Sequence, residues 1–491
     1  MKWKPNTKIL AIGLVLALAV LLVPLYRISV YTAPWYDDYN YAKFVKNFLY
    51  EDPTLRGVLN GVLYCVKTQW YAWQGTFSSV FFMSLMPGLW GEDMYFLGPL
   101  FLITILLAAV LILSKVLIRD VLGGDKTSCV VISVVTAIMV IELIHVAHYG
   151  FYWYNAGVHY VAMHSFCLLL VAVAIRLVQV QKILPKVLLL LTGLLLAVLV
   201  GGSNFVTALQ GGLFLLTVAG VSCVIYRKEW KKVLWILPSL LVYAFAFYKN
   251  VSAPGNAVRS AQYVGWGLPP VSAVLQSFVE AAKNIGEFTG WITIAILLFL
   301  APVIWQMVGK CNFGFRMPGL VLLWSVCIYA TGFTPSLYSL GHEGLARTLN
   351  AVKITYQLLL IINEVYWLGW LRGFLERKKK SVPDGRVCWW FYPLVAVLMI
   401  GIFCVDDDKT GTYSSWAAYY YVHTGEACNY YAGYLDRVER IENGSRNVVV
   451  PPYGFRPWII SVGELSEDPQ NEANRAMANW YGKESISCKF E

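Results

Sequence analysis

Charge is scarce in this chain. Only 14% of its 491 residues are Asp, Glu, Lys or Arg, against about 25% in an ordinary soluble domain. That scarcity excludes a soluble enzyme and a disordered chain, both of which need charge to stay in water. Organised cysteine is missing as well. The ten cysteines form no Cys-x-x-Cys pair and no Cys/His metal spacing. Most lie inside apolar runs, where Cys behaves as a small buried hydrophobe, so a zinc module and a disulfide scaffold are excluded. No repeat is visible in hydropathy or motif, which speaks against an inverted-repeat transporter. The first apolar run, Ile9 to Leu25, is followed by no small-x-small cleavage site, so it reads as an uncleaved first helix.

Apolar residues take the place of charge, with 58% hydrophobic and 15% aromatic. Each crossing of a bilayer core of roughly 30 Å takes about 20 apolar residues. Beyond the first, apolar runs occupy 95–118, 129–147, 158–178, 187–201, 205–225, 233–248, 291–308, 318–334, 348–371 and 388–405. The expectation is an all-α polytopic membrane protein with about 11 transmembrane helices. The net charge of +10 does not indicate nucleic acid, because the basic residues sit in short loops and not on one soluble face. Of the 39 Lys and Arg, 20 fall in the segments 1–8, 119–128, 176–186, 226–232, 309–317 and 372–387, including the run Arg377-Lys378-Lys379-Lys380. The opposite connections are poor in them: 148–157 has none and 335–347 only Arg347. The excess of cations on the inner side then predicts the N-terminus inside and the C-terminus outside.

That topology divides the chain into a transmembrane part, 1–405, and an external C-terminal domain, 406–491. The external face also receives a long first loop (27–94), a middle loop (249–290) and a short loop (335–347). The C-terminal part turns polar and reads as a small α+β domain, with a strand near 448–450 and a helix over 470–481. Cys428 and Cys488 share its non-reducing compartment, and spacing leaves their pairing open.

The polar residues suited to chemistry gather in these external segments. Asp37 and Asp38 follow Ala33-Pro34-Trp35-Tyr36, just beyond the first span. One can cap the amphipathic surface helix expected at 42–50. The other is then free to act as general base towards an acceptor hydroxyl. A second surface helix, 55–73, ends in Trp73-Gln74-Gly75. In the turn 148–160, Tyr152, Trp153, Asn155, His159 and Tyr160 offer aromatic faces beside Asn and His. With Trp73 they suit a sugar ring, although Trp and Tyr also concentrate in ordinary interfacial belts. Glu142, His145, His148, His159 and His164 match no ligand spacing, so no metal site is expected. A Glu–His pair is the expected partner for Glu142. In the middle loop, Pro254-Gly255-Asn256 reads as a turn with free backbone N–H groups, and Arg259 follows. Arg grips phosphate oxygens two at a time, so Lys249, Asn256 and Arg259 form a candidate phosphate site. Arg347 and Lys353 would extend it as a cationic funnel, or snorkel to headgroups.

Five segments carry a resemblance: PWYDDYNYA at 34–42, WQG at 73–75, HYGFYWYNAGVHY at 148–160, SAPGNAVR at 252–259 and DPQNEANRAMANWYG at 468–482. With acidic residues just after the first span, the chain resembles the GT-C class of membrane glycosyltransferases. It is most similar to a bacterial multi-spanning family related to O-antigen glucosyltransferases. It departs from that pattern at Thr76, where Arg is expected after the Trp-x-Gly element. The resemblance implies an enzyme of the bacterial cytoplasmic membrane. Its donor would be a polyprenyl-phosphate sugar and its acceptor an envelope glycan or lipid. No cofactor is implied, and a divalent cation between carboxylate and phosphate stays open. Two other functions fit the span count and the cations: a transporter or flippase of lipid-linked sugar, and a non-catalytic envelope protein that binds glycan.

Overall fold

A computed structural model describes residues 7–378 and 391–490. It is 77% helical with almost no strand. Among the described residues, eight helices are long and apolar enough to cross a membrane: Thr7–Tyr31, Glu92–Val121, Tyr154–Gln179, Ile183–Gly201, Phe205–Ile225, Trp291–Val308, Pro318–Leu340 and Ala346–Arg377. Arg227–Trp235 and Leu237–Val251, bent by 49° at their junction, count as a ninth if taken as one span. Pro238 stands at the junction and has no N–H to carry the helix through. The chain is therefore a multi-pass membrane protein.

The remaining two of the eleven expected spans fall on shorter helices, Lys126–Glu142 of 17 residues and Phe391–Val405 of 15. The first stops early because the apolar run 129–147 breaks at Leu143. There Asn350 supplies the missing backbone partners, accepting from Val146 N at 2.8 Å and donating to its carbonyl at 3.1 Å. Irregular backbone inside a bundle needs such a partner. Lys2 and Lys4, the basic segment from Lys379 to 387, the start of the run 388–405 and Glu491 lie outside the described residues.

The elements that matter for function are few. Helix α1 (Thr7–Ile28) leads to α2 (Asp37–Glu51) and α3 (Leu55–Ala72), which pack on each other. Helix α2 starts at the acidic pair, not at Ala42 as the amphipathic pattern indicates. Helix α3 keeps Leu55, Leu59 and Leu63 exposed, as a helix on a membrane surface would. The middle segment is not a loop. It folds as α4 (Pro254–Ala261) and α5 (Pro270–Phe288). Pro254-Gly255-Asn256 is the first turn of α4, a position where proline loses nothing because that N–H has no helical partner anyway. Helix α6 (Ala346–Arg377) carries Arg347 in its first turn.

The last part of the chain forms α7 (Ser414–His423), α8 (Glu426–Asn443), strand β1 (Asn447–Val450), α9 (Glu472–Tyr481) and strand β2 (Ser485–Cys488). The strands pair in parallel with Val448 opposite Ile486, and α9 lies in the crossover that a parallel pair requires. Helix α7 packs along α1, and its Ser415 donates both N–H and hydroxyl to Glu142, at 3.1 and 2.8 Å. Glu142 is thus bonded through its Oε2 by a helix start and not by a histidine. His145 instead lies 3.9 Å from Glu287. Cys428 is exposed, Cys488 is buried, and both are free thiols.

The C-terminal segment is anchored onto α2. Lys46 Nζ donates to Trp480 O at 2.7 Å and lies over the Trp480 ring. Glu92 accepts from both Tyr434 and Tyr481. Within the segment, Arg437 and Glu464 are 2% and 10% exposed and pair at 2.8 Å, the guanidinium stacking 3.6 Å from the Tyr453 ring. Replacing Arg437 by Met leaves Glu464 buried without its counter-ion, held only by the N–H groups of Tyr453 and Leu465, a loss of about 3–5 kcal/mol for a broken buried pair. The expected result is a clearly lowered unfolding temperature in detergent, followed by limited proteolysis of the C-terminal segment. An unchanged melting profile would contradict this role.

Candidate functional site

The two adjacent carboxylates at the start of α2 have opposite fates. Asp38 is fully buried. Its Oδ2 accepts from Trp35 N at 2.9 Å and from the Tyr95 hydroxyl at 2.7 Å, and its Oδ1 accepts from Asn155 N at 2.9 Å. Its own N–H donates back to Trp35 O at 2.9 Å, which closes a reciprocal cap on the helix. Burial pushes the Asp38 carboxyl up to about 7, against the pull of these donors. One side chain thereby joins the start of α2, the region of Tyr95 and the aromatic turn. Asn155 also donates from its amide to Asp37 O at 3.2 Å, and Trp153 Nε1 to Trp35 O at 3.2 Å.

Asp37 is left free by this arrangement. The residue before it, Tyr36, has φ 41° and ψ −93°, a conformation that side-chain-bearing residues rarely adopt. Asp37 is partly buried and feels three charges from distant parts of the chain: Arg347, Glu472 and Arg259. Burial is the foremost influence and raises its carboxyl to about 6. The two arginines pull it down and Glu472 pushes it up.

Each arginine is seated on a tryptophan. Arg259 lies 5.3 Å from the centre of the Trp73 ring and donates to Gln74 Oε1 at 3.0 Å, while Gln74 donates onward to the Tyr41 hydroxyl at 3.0 Å. Arg347 lies 5.6 Å from the Trp153 ring. Among the described residues neither guanidinium forms an ion pair with a carboxylate. The seat for Arg259 depends on backbone passing unusually close to backbone. A Cβ on Gly75 would come within 1.8 Å of Asn250 O, and one on Gly255 within 2.6 Å of Trp73 N. Glycine is the residue that permits that approach.

The other expected site residues are placed as follows. Asn256 accepts from Gly75 N at 2.9 Å and donates to Asn250 O at 2.8 Å, so it clamps α4 to the end of α3. Lys249 is exposed, with its ammonium over Phe245, and is not among the charges that reach Asp37. Tyr152 is buried and donates to Leu25 O at 3.1 Å, a core role. His159 is buried within reach of both guanidinium charges, and its Nδ1 has no partner among the described residues. Tyr160 is half-buried beside it, ring edge to ring face at 4.6 Å. Thr76 is buried, with its hydroxyl unpartnered among the described residues. Among the described residues no three His, Cys, Asp or Glu side chains converge as metal ligands.

Sequence reasoning missed Tyr36, Gln74 and Glu472 as members of this cluster. Glu472 lies in the quoted segment 468–482, where it reads only as an acid in the first turn of a helix. The Tyr36 hydroxyl donates to it across 436 positions of sequence. No local pattern could signal that.

No family model, curated protein or solved structure matches the chain.

The two carboxylates are separable by experiment. Asp38→Asn turns an amide N–H₂ towards buried donors and leaves at least one of them unsatisfied, at about 1–3 kcal/mol. The expected outcome is a lowered unfolding temperature for Asp38→Asn and an unchanged one for Asp37→Asn. Equal melting of both variants and wild type would remove Asp38 from its structural role.

Proposed function

We propose that this chain is a membrane glycosyltransferase of GT-C type, built on about 11 spans. It would move one sugar from a polyprenyl-phosphate donor to an envelope glycan or lipid on the external face of the bacterial cytoplasmic membrane. The N-terminus is then inside and the C-terminus outside. The observation that carries the reading is Asp37, a carboxylate under the influence of Arg259 and Arg347, each seated on a tryptophan and, among the described residues, unpaired with any carboxylate. Cations held on aromatic shelves without a counter-ion suit an anionic ligand that enters and leaves. The resemblance of the five segments points the same way, since four of them supply Asp37, Trp73, Trp153 and Arg259.

The chemistry follows from those roles. The acceptor oxygen attacks the anomeric carbon while Asp37 takes its proton. The bond from that carbon to the phosphate oxygen breaks, and its electron pair leaves with the polyprenyl phosphate. Arg259 and Arg347 stabilise the charge that grows on the departing phosphate. A lipid phosphate is a good leaving group, so no strong general acid is required. Trp73 and Tyr160, each partly exposed, would offer faces for the sugar, while Trp153 is buried and serves as the seat of Arg347.

A panel of polyprenyl-phosphate sugars, assayed with the purified protein, tests this reading. Asp37→Asn removes the base and is expected to lower transfer by roughly 10²–10⁴-fold while donor binding persists. Because the Asp37 carboxyl is raised to about 6, it is protonated and inactive as a base below that pH. Wild-type activity should fall as pH drops through about 6 and level off above it. Arg259→Ala and Arg347→Ala each remove a charge-assisted contact and should weaken donor binding by about tenfold or more. Full transfer by Asp37→Asn would overturn the assignment, and movement of lipid-linked sugar across vesicles without transfer would replace it with a flippase. A reporter fused after Glu491 should face outside.

A further inference from the structure

We infer that Glu472 is a positioning residue for Asp37, brought by the C-terminal segment over the start of α2, where it holds Tyr36 and supplies a second negative charge. It rests on the proposed function only in naming Asp37 as the base.

The plain alternative is an acid in the first turn of α9, where the helix dipole favours it. That alternative leaves the contacts unexplained. The cap of α9 is already made by Asn471, whose Oδ1 accepts from Ala473 N at 3.0 Å. Nor does α9 need Glu472 to stay in place. Asn474 is buried and bonds Ser466 N, Ser466 O and Ile486 O at 2.7–3.0 Å. Lys46 and Glu92 hold the far end of the helix through Trp480 and Tyr481. The Glu472 carboxylate is therefore spare, and it accepts the Tyr36 hydroxyl.

Tyr36 is the residue with φ 41° that turns Asp37 away from the buried cap around Asp38. A side-chain-bearing residue stays in such a conformation only when its surroundings hold it there. The bond from Tyr36 to Glu472 is one of those holds, and it comes from the segment that Lys46 and Glu92 already dock beside α2. The groups facing Asp37 are then Arg347 from α6, Arg259 from α4, Glu472 from α9, and Asp38, Tyr36 and Tyr41 from its own end of the chain. Removal of the Glu472 charge leaves the arginines with less opposition, which favours ionised Asp37 and lowers its midpoint.

The test needs no substrate. Protein carrying ¹³C-labelled aspartate is titrated in detergent by infrared spectroscopy, and subtracting the Asp37→Asn spectra isolates the Asp37 band. Glu472→Gln keeps an acceptor for Tyr36 and removes the charge, so the midpoint should fall by about half a pH unit. Glu484→Gln, at a carboxylate of the same segment that pairs with Arg446, should leave it unmoved. In the transferase assay, Tyr36→Phe should lower kcat above pH 8 with little change in KM, since it loosens Asp37 without touching the donor. An Asp37 midpoint unchanged in Glu472→Gln, or shifted equally by Glu484→Gln, overturns the inference. Full transfer by Asp37→Asn would instead sink the proposed function, while the infrared midpoint still judges Glu472.

Discussion

The buried carboxylate of Asp38 is the constraint on which the site depends. A fully buried acid is tolerated only where donors replace the lost water, and here three donors arrive from three separate parts of the chain: Trp35, Tyr95 and Asn155. Those contacts set where α2 begins, how the aromatic turn 148–160 lies against it, and which way the next carboxylate can point. Asp38 is consumed in tying the chain before α2 to Tyr95 and the aromatic turn. Asp37 is then surplus to the fold, and surplus polar groups on a rigid support are what binding and chemistry can use.

The electrostatics around Asp37 show the same division between groups the fold consumes and groups it leaves over. Asn256, Asn155 and Tyr152 are spent on backbone partners. Asn250 likewise pins the turn at Gly201 and Ser203. Arg259 and Arg347 are not spent. Stacking on tryptophan fixes a guanidinium without neutralising it, so both keep their full charge for something that is not part of the chain. This distinguishes them from Arg437, which is stacked more closely on its ring but paired with Glu464 and enclosed.

The C-terminal segment is more than a cap on the membrane part. Its first helix runs along α1 and donates to Glu142, and its last helix lies on α2 through Lys46 and Tyr39 and is bonded at Tyr481 by Glu92. These contacts mix apolar packing with hydrogen bonds to partly buried acids, so they fix orientation as well as proximity. That is why a residue near position 472 can bear on one near position 37.

Composition and periodicity alone determined that this is a helical multi-pass membrane protein, because spans follow from how much hydrocarbon a run of apolar residues can cover. They also singled out the acidic pair and a few cations outside the spans as the candidates for chemistry, since polar residues are few. The helices at 55–73 and 470–481 were legible for the same reason, with boundaries off by a residue or two. Tertiary structure decided the rest. Where a helix stops depends on partners such as Asn350 that lie hundreds of positions away. Whether Pro254-Gly255-Asn256 is a turn or a helix start depends on the close approach at Gly75. Which of two identical neighbouring carboxylates is buried depends on donors that only the assembled chain brings together, and their identity as Asp says nothing about it.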